Sequence, residues 1–156
     1  MKTSDYPALS PYLIVHDGAA AVAFYIEALG AEERFRLVDS ATGKIGHAEL
    51  YVQGQLFMLA GEHPDWAKSP RTLGGTAVKL SLMVEDPDAA FARAVAAGAE
   101  ALMQPQDQFY GFRCASVRDP FGHEWMLQRE IEKVSPEEMQ RRWDAMVTGC
   151  DAEGKS

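Results

Sequence analysis

The chain has 156 residues, 47% of them apolar, which suits one compact domain or two small modules sharing a core. Its 15 basic and 23 acidic residues leave a formal net charge of -8, repelled by nucleic-acid phosphates and anionic lipid surfaces, so neither nucleic acid nor membrane is expected as a partner. The sequence opens on no apolar h-region and holds no run near the roughly 20 apolar residues that span a bilayer. The cysteines Cys114 and Cys150 form neither a metal-spaced pair nor a disulfide framework, and a cytoplasmic location is expected.

Residues 11–15 read as a short strand, after which Asp17 suits the N-cap of a helix whose Val22, Tyr25, Ile26 and Leu29 recur at helical spacing. Gly30 is the expected stop. Residues 35–38 and 47–52 read as strands, the latter alternating Ala48, Leu50 and Val52 against His47, Glu49 and Tyr51; residues 56–60 follow a Gln53-Gly54 turn as a fourth strand. Residues 61–76, with Pro64, Pro70, Gly74 and Gly75, have linker composition. A strand over 78–84 then leads to Asp86 and Pro87, a good cap and first helical residue, with Phe91, Ala94 and Val95 as the buried stripe before Gly98. Strands are expected at 101–103, 113–117 and 124–128, the last two joined by Asp119-Pro120-Phe121-Gly122. Ser135-Pro136-Glu137-Glu138 resembles a capping box opening a helix over 135–147, in which Met139, Trp143 and Met146 share a face and Glu138 reaches Arg142 at i,i+4.

The pattern occurs twice. Asp17 and Asp86 stand 69 residues apart, and Gly54-Gln55-Leu56-Phe57-Met58-Leu59 recurs 68 residues later as Gly122-His123-Glu124-Trp125-Met126-Leu127. Two landmarks at nearly one offset indicate a duplicated βαβββ module, residues 8–60 and 77–130, whose inner surfaces can share a pocket.

Paired modules with an "FY…LGAE" helix and a "DPFGH" turn resemble the vicinal oxygen chelate superfamily of glyoxalases, bleomycin resistance proteins and extradiol dioxygenases. The strings "PYLIV", "GHAEL", "DQFYGFR", "DPFGHEW" and "VSPEEMQRR" narrow the resemblance to its PhnB-like branch. The resemblance covers about residues 8–130 and implies an α+β fold in which two βαβββ modules form a cupped mixed sheet, followed by a C-terminal helix. It further implies a cavity, often with a divalent metal at its floor, and a homodimer; it does not carry the chemistry over.

In metal-binding members of that superfamily the ligands lie on the first and fourth strands of each module. The matching positions here are Ser10, Met58, Lys79 and Met126, a poor set for a hard or borderline cation, so no cofactor is expected. A displaced divalent site remains an alternative at His47 and Glu49, which lie two apart on one strand and face one side; they are equally candidates for a general acid/base pair, or for a hydrogen-bonded pair lining a wet cavity. Parity puts Tyr12, Tyr51, Met58, Ser81, Glu124 and Met126 on the cavity face, a Met-lined, aromatic-edged surface suited to a small molecule. Lys79 is expected on the cavity floor beside Met58 and Met126, where it and an inward Arg113 would favour anions, unless Glu49 or Glu124 neutralises Lys79. His123, by parity with Trp125, reads as a structural turn residue, and His16 and His63 as exposed loop residues. Phe109, Tyr110 and Phe112 read as a rim, a lid or core. Three functions stay open: a metal-free binder of an aromatic or anionic ligand, a lyase, isomerase or dioxygenase-type enzyme using His47 and Glu49, and a dimeric interaction module with a vestigial pocket.

Overall fold

Two aspartate caps and two alternating strand sets organise the chain into repeats of one unit. The computed structural model describes residues 5–153, with side chains over residues 5–149. The first unit is β1 (Tyr12–Val15), α1 (Gly18–Leu29), β2 (Glu32–Val38), β3 (Ile45–Val52) and β4 (Gln55–Gly61). The second is β5 (Lys79–Met83), α3 (Pro87–Ala96), β6 (Glu100–Asp107), β7 (Phe112–Arg118) and β8 (Glu124–Glu130), with α2 (Pro70–Leu73) between the units and α4 (Pro136–Glu153) after them. Each unit folds into a four-stranded mixed sheet, ordered β1-β4-β3-β2 and β5-β8-β7-β6, so the α+β two-module architecture is as expected.

The helices start where side chains satisfy the free amides of the first turn. Asp17 accepts from the Ala20 amide, and Asp86 from those of Asp88 and Ala89. Gly30 closes α1 in the left-handed region at φ 67°. Several elements exceed the sequence reading: β2 starts at Glu32 and α4 runs on to Glu153. The linker contains α2, with Pro70 in its first turn, and β6 continues through Pro105, tolerated because β6 is an edge strand whose pairing with β7 slips between Met103 and Gln106.

The apolar alternate of each strand packs on its helix. Leu13, Val15, Ala48, Leu50, Val52, Phe57 and Leu59 form one layer with Ala21, Val22 and Tyr25, continuous with Leu82, Phe91, Ala94, Val117, Trp125 and Leu127 of the second unit. The halves meet through their helices: the Tyr25 ring lies against Phe57, Phe121 and Trp125. Buried Asp119 ties this seam, accepting from the Tyr25 hydroxyl at 2.7 Å, the Trp125 indole N–H at 2.9 Å and the Phe121 and His123 amides. His123 also reaches across to the Ile14 carbonyl at 2.9 Å, and the Arg93 guanidinium on α3 donates to the Glu27 carbonyl at the end of α1. With the helical side filled, the alternate residues of both sheets are left on an opposite, open face.

Candidate functional site

On the open face of the first sheet, the pleat brings one residue from each of three strands to a common point. The Cα register places Tyr12 and Glu49 on either side of Met58. The Tyr12 hydroxyl lies 2.8 Å from His47 Nδ1, and His47 Nε2 lies 3.2 Å from Glu49 Oε1. Two further donors converge on that carboxylate: the Tyr6 hydroxyl at 3.0 Å and the Arg34 guanidinium at 3.0 Å. Arg34 also covers the Tyr6 ring, 5.0 Å from its centroid.

Glu49 is 2% exposed, whereas Tyr12 is 47% exposed. Burial alone pushes the Glu49 carboxyl up, but the hydrogen bonds from His47 and Tyr6 and the charge of Arg34 outweigh it, holding the group below the ordinary range. Tyr12 shifts the opposite way: partial burial, then the negative charge of Glu49, raise its phenol. The cluster is a buried, ionised carboxylate joined to an accessible phenol through one imidazole. Of its members, Tyr12, His47 and Glu49 were legible in the sequence, and Tyr6 and Arg34 were not.

The other sequence candidates are placed as follows. Tyr51 and Met58 are half-buried in the N-terminal half; Met126, Glu124 and exposed Ser81 lie on the open face of the second sheet. Arg113 does not face that surface. It shares the parity of buried Ala115 and Val117, so it emerges on the α3 side, where Asp88 and Asp107 hold it at 2.6–2.8 Å and raise its pKa. Lys79 pairs in register with Glu124 but is exposed; Glu124 is bound instead by Arg118, and Glu49 by Arg34. The expectation that Lys79 sits on a cavity floor is thereby corrected: an edge position at the start of β5 leaves its long side chain in solvent. His16 is no exposed loop residue either. It is half-buried against the Phe121 ring with its Nδ1 buried and unpaired among the described residues. His63 stacks on Trp66 with centroids 3.4 Å apart, and Trp66 is 75% exposed. Phe109 packs edge-on against Tyr110 and at a tilt against Trp143 of α4, so this cluster seats the tail helix.

Beside Tyr12 runs a groove of about 570 Å³ lined by Tyr12, Ile14, Lys44, Ile45, His63 and Trp66. A smaller one of about 330 Å³ lies where the two sheets meet, with Leu56 and Phe57 on one side and Ser81 and Met83 on the other. Neither is lined by Met58, Met126 or Lys79.

The residues do not fit the divalent metal that this kind of fold often carries. Ser10, Met58, Lys79 and Met126 offer a hydroxyl, two thioethers and an ammonium. At the displaced position both ring nitrogens of His47 and both oxygens of Glu49 are already committed. Among the described residues no three His, Cys, Asp or Glu side chains are grouped to hold a metal, and no helix is long and apolar enough to cross a membrane.

Two fused βαβββ units, each with its first and fourth strands parallel and adjacent, define a fold of the glyoxalase kind. Residues 7–127 match the model of the Glyoxalase/Bleomycin resistance protein/Dioxygenase superfamily, and the chain belongs to that superfamily. It is 42% identical over 147 residues to the uncharacterized protein Rv0887c of Mycobacterium tuberculosis, covering 92% of this chain and 86% of that one. Among solved structures it is similar to TioX from Micromonospora sp. ML1, at 30% identity and a TM-score of 0.64 over 80% of this chain and 98% of TioX. A glyoxalase/bleomycin resistance protein/dioxygenase from Nocardioides shares 26% identity and a TM-score of 0.61, over 87% of this chain and 91% of that one.

Proposed function

We propose that the chain is a metal-free small-molecule-binding protein of the PhnB-like branch, working as a homodimer, which receives an aromatic ligand on the open face of its N-terminal sheet. The observation that carries this reading is the Tyr12–His47–Glu49 cluster at the edge of the Trp66 groove: a few fixed polar groups beside apolar and aromatic walls, the usual composition of a small-molecule site. Anionic ligands have weaker support, because Arg113 is consumed by Asp88 and Asp107 and Lys79 stands in solvent outside both grooves. For the dimer, support comes from α4, whose Trp143, Met146 and Val147 are exposed on a helix held to the body at one end.

Ligand-observed NMR with a panel of small aromatic compounds tests the reading, together with elemental analysis of protein purified without chelator. Binding that perturbs Tyr12 and His47, in protein with no stoichiometric metal, is expected. One equivalent of zinc, nickel or iron would overturn the metal-free assignment, and light scattering at micromolar concentration giving a monomer mass would overturn the dimer. A second reading, a lyase or isomerase, draws on the order hydroxyl, imidazole, carboxylate, in which His47 can take a proton from Tyr12 while Glu49 stabilises the cation. His47→Gln separates the two: binding retained with turnover abolished favours the enzyme.

A further inference from the structure

The hydrogen bonds around Glu49 fix a direction of polarity along the cluster. The carboxylate accepts from Tyr6 and Arg34, and a bare imidazole nitrogen facing it at 3.2 Å would set lone pair against lone pair, so Nε2 of His47 carries the proton. In a neutral imidazole Nδ1 is then bare, and the hydroxyl 2.8 Å away must donate to it. The Tyr12 proton is thereby turned inward and the phenol oxygen presents only lone pairs outward. Around this oxygen the groove is aromatic and acidic: Trp66 lies on its rim, exposed, with one face of its indole stacked on His63, and Asp39 and Glu62 outnumber Lys44 among its charged lining residues.

We infer that the groove takes a flat, neutral or cationic aromatic molecule bearing an N–H or O–H, which rests on Trp66 and donates to the Tyr12 oxygen. This rests on the small-molecule reading above and narrows it. The site selects for a donor because the alternative, an acceptor or anion, would meet an oxygen whose hydrogen is already committed and a groove of net negative charge. Arg34 and Tyr6 are positioning residues in this scheme: they hold Glu49 ionised, Glu49 fixes the His47 tautomer, and the tautomer turns Tyr12.

Indole and benzofuran are suitable probes, since they share a shape and differ in presenting a ring N–H or a ring oxygen. NMR-detected titrations at about pH 8 should give about five- to tenfold tighter binding of indole. Tyr12→Phe, which keeps the ring and removes the oxygen, should bring the two to parity, and Trp66→Ala should weaken both alike. Equal binding of both probes to the wild-type protein would overturn the donor preference while leaving the small-molecule site standing. A preference that survives Tyr12→Phe, or affinities untouched by Trp66→Ala, would overturn the assignment to this groove. Binding of neither probe up to its solubility would overturn the inference and the reading beneath it together.

Discussion

The two halves share a fold and differ in their open faces. Met58 and Met126 occupy the same place on their fourth strands; Met58 is flanked in register by Tyr12 and Glu49, Met126 by Ser81 and Ser116. Two residues before Glu49 stands His47, and two before Ser116 stands Cys114, fully buried beneath the Tyr110 hydroxyl and the Gln128 amide oxygen. A phenol, an imidazole and a carboxylate are thus gathered around Met58 in one half, and small hydroxyls with a shielded thiol around Met126 in the other. The helix caps Asp17 and Asp86 and the apolar alternates recur in both, because each half must fold; the outward alternates carry no such requirement and are free to diverge.

The largest effect is expected where the halves depend on each other. Asp119→Ala removes the acceptor for the buried Tyr25 hydroxyl, the Trp125 indole and two amides, leaving donors from both units without a partner. Urea unfolding should show a loss of about 3–5 kcal/mol. Tyr25→Phe, which removes one donor, should cost about 1–1.5 kcal/mol. A small loss in Asp119→Ala would mean that the halves do not depend on this buried carboxylate. Burial, followed by the charge of Asp119, lifts the Tyr25 phenol well above its ordinary value of 10.0. A raised folded-state pKa gives stability that is complete below the unfolded value and lost as pH rises above it, so alkaline unfolding should be shallower in Tyr25→Phe.

The next comparison tests the divergence directly. Glu49→Ala strips the acceptor from Tyr6, Arg34 and His47 and should cost about 1–2 kcal/mol, part of it recovered as Arg34 and Tyr6 turn to water. Its counterpart Ser116→Ala should stay within about 0.5 kcal/mol. Because Glu49 is held below the ordinary carboxylate range, its contribution is present above that range and lost as pH falls through the lowered value. The gap between wild type and Glu49→Ala should therefore close in acid. Equal costs at residues 49 and 116 would show that the polar cluster is incidental to the fold of its half.

How much of this was legible in the sequence depends on whether alternation was intact. The caps, the duplicated offset, the helix-facing sets in β3 and β8 and the Glu138–Arg142 pair all follow from period and spacing, and the structure has them. Arg113 could have been placed correctly by the same rule, since it shares parity with Ala115 and Val117. Arg34 could not: the β2–β3 register shifts between Glu33 and Phe35, and such an irregularity re-aims a side chain that alternation would misplace. Tyr6 lies in a segment outside any periodic element and reaches Glu49 across 43 residues, a contact that only the folded chain creates. The Trp66 groove depends likewise on the course of a linker that has no repeat partner.

A third, smaller effect is expected at the helix–helix seam. Arg93 of the second half closes the end of α1 in the first by donating to the Glu27 carbonyl at 2.6 Å and the Ile26 carbonyl at 3.3 Å. Arg93→Ala should lower stability by about 0.5–1 kcal/mol, since these bonds lie at the surface and water can replace them. Amide hydrogen exchange should speed up selectively in the last turn of α1. Unchanged exchange there would mean that Gly30 alone terminates the helix.

The smallest effect on global stability is expected at α4, which belongs to neither half and is fastened to one. Glu138 accepts from Arg141 at 2.7 and 2.8 Å and from Arg142 at 2.9 Å, while Arg142 also holds Glu132 and the Phe109 carbonyl. These hydrogen bonds, Arg141's first, lower the Glu138 carboxyl from 4.5 to about 2. A depressed folded-state value means that the contribution is present above 4.5 and lost as pH falls through about 2. The clamp is exposed, so Glu138→Gln should leave the urea midpoint unchanged while loosening Trp143 from Phe109, visible as altered ring shifts for that pair. Carboxyl NMR on the wild-type protein should place the Glu138 midpoint near 2. A midpoint at an ordinary glutamate value would show the two arginines fraying away in solution. An Arg142→Ala variant whose helix stays protected from exchange would show that Phe109 and Trp143, rather than the charges, fasten the tail to the second half.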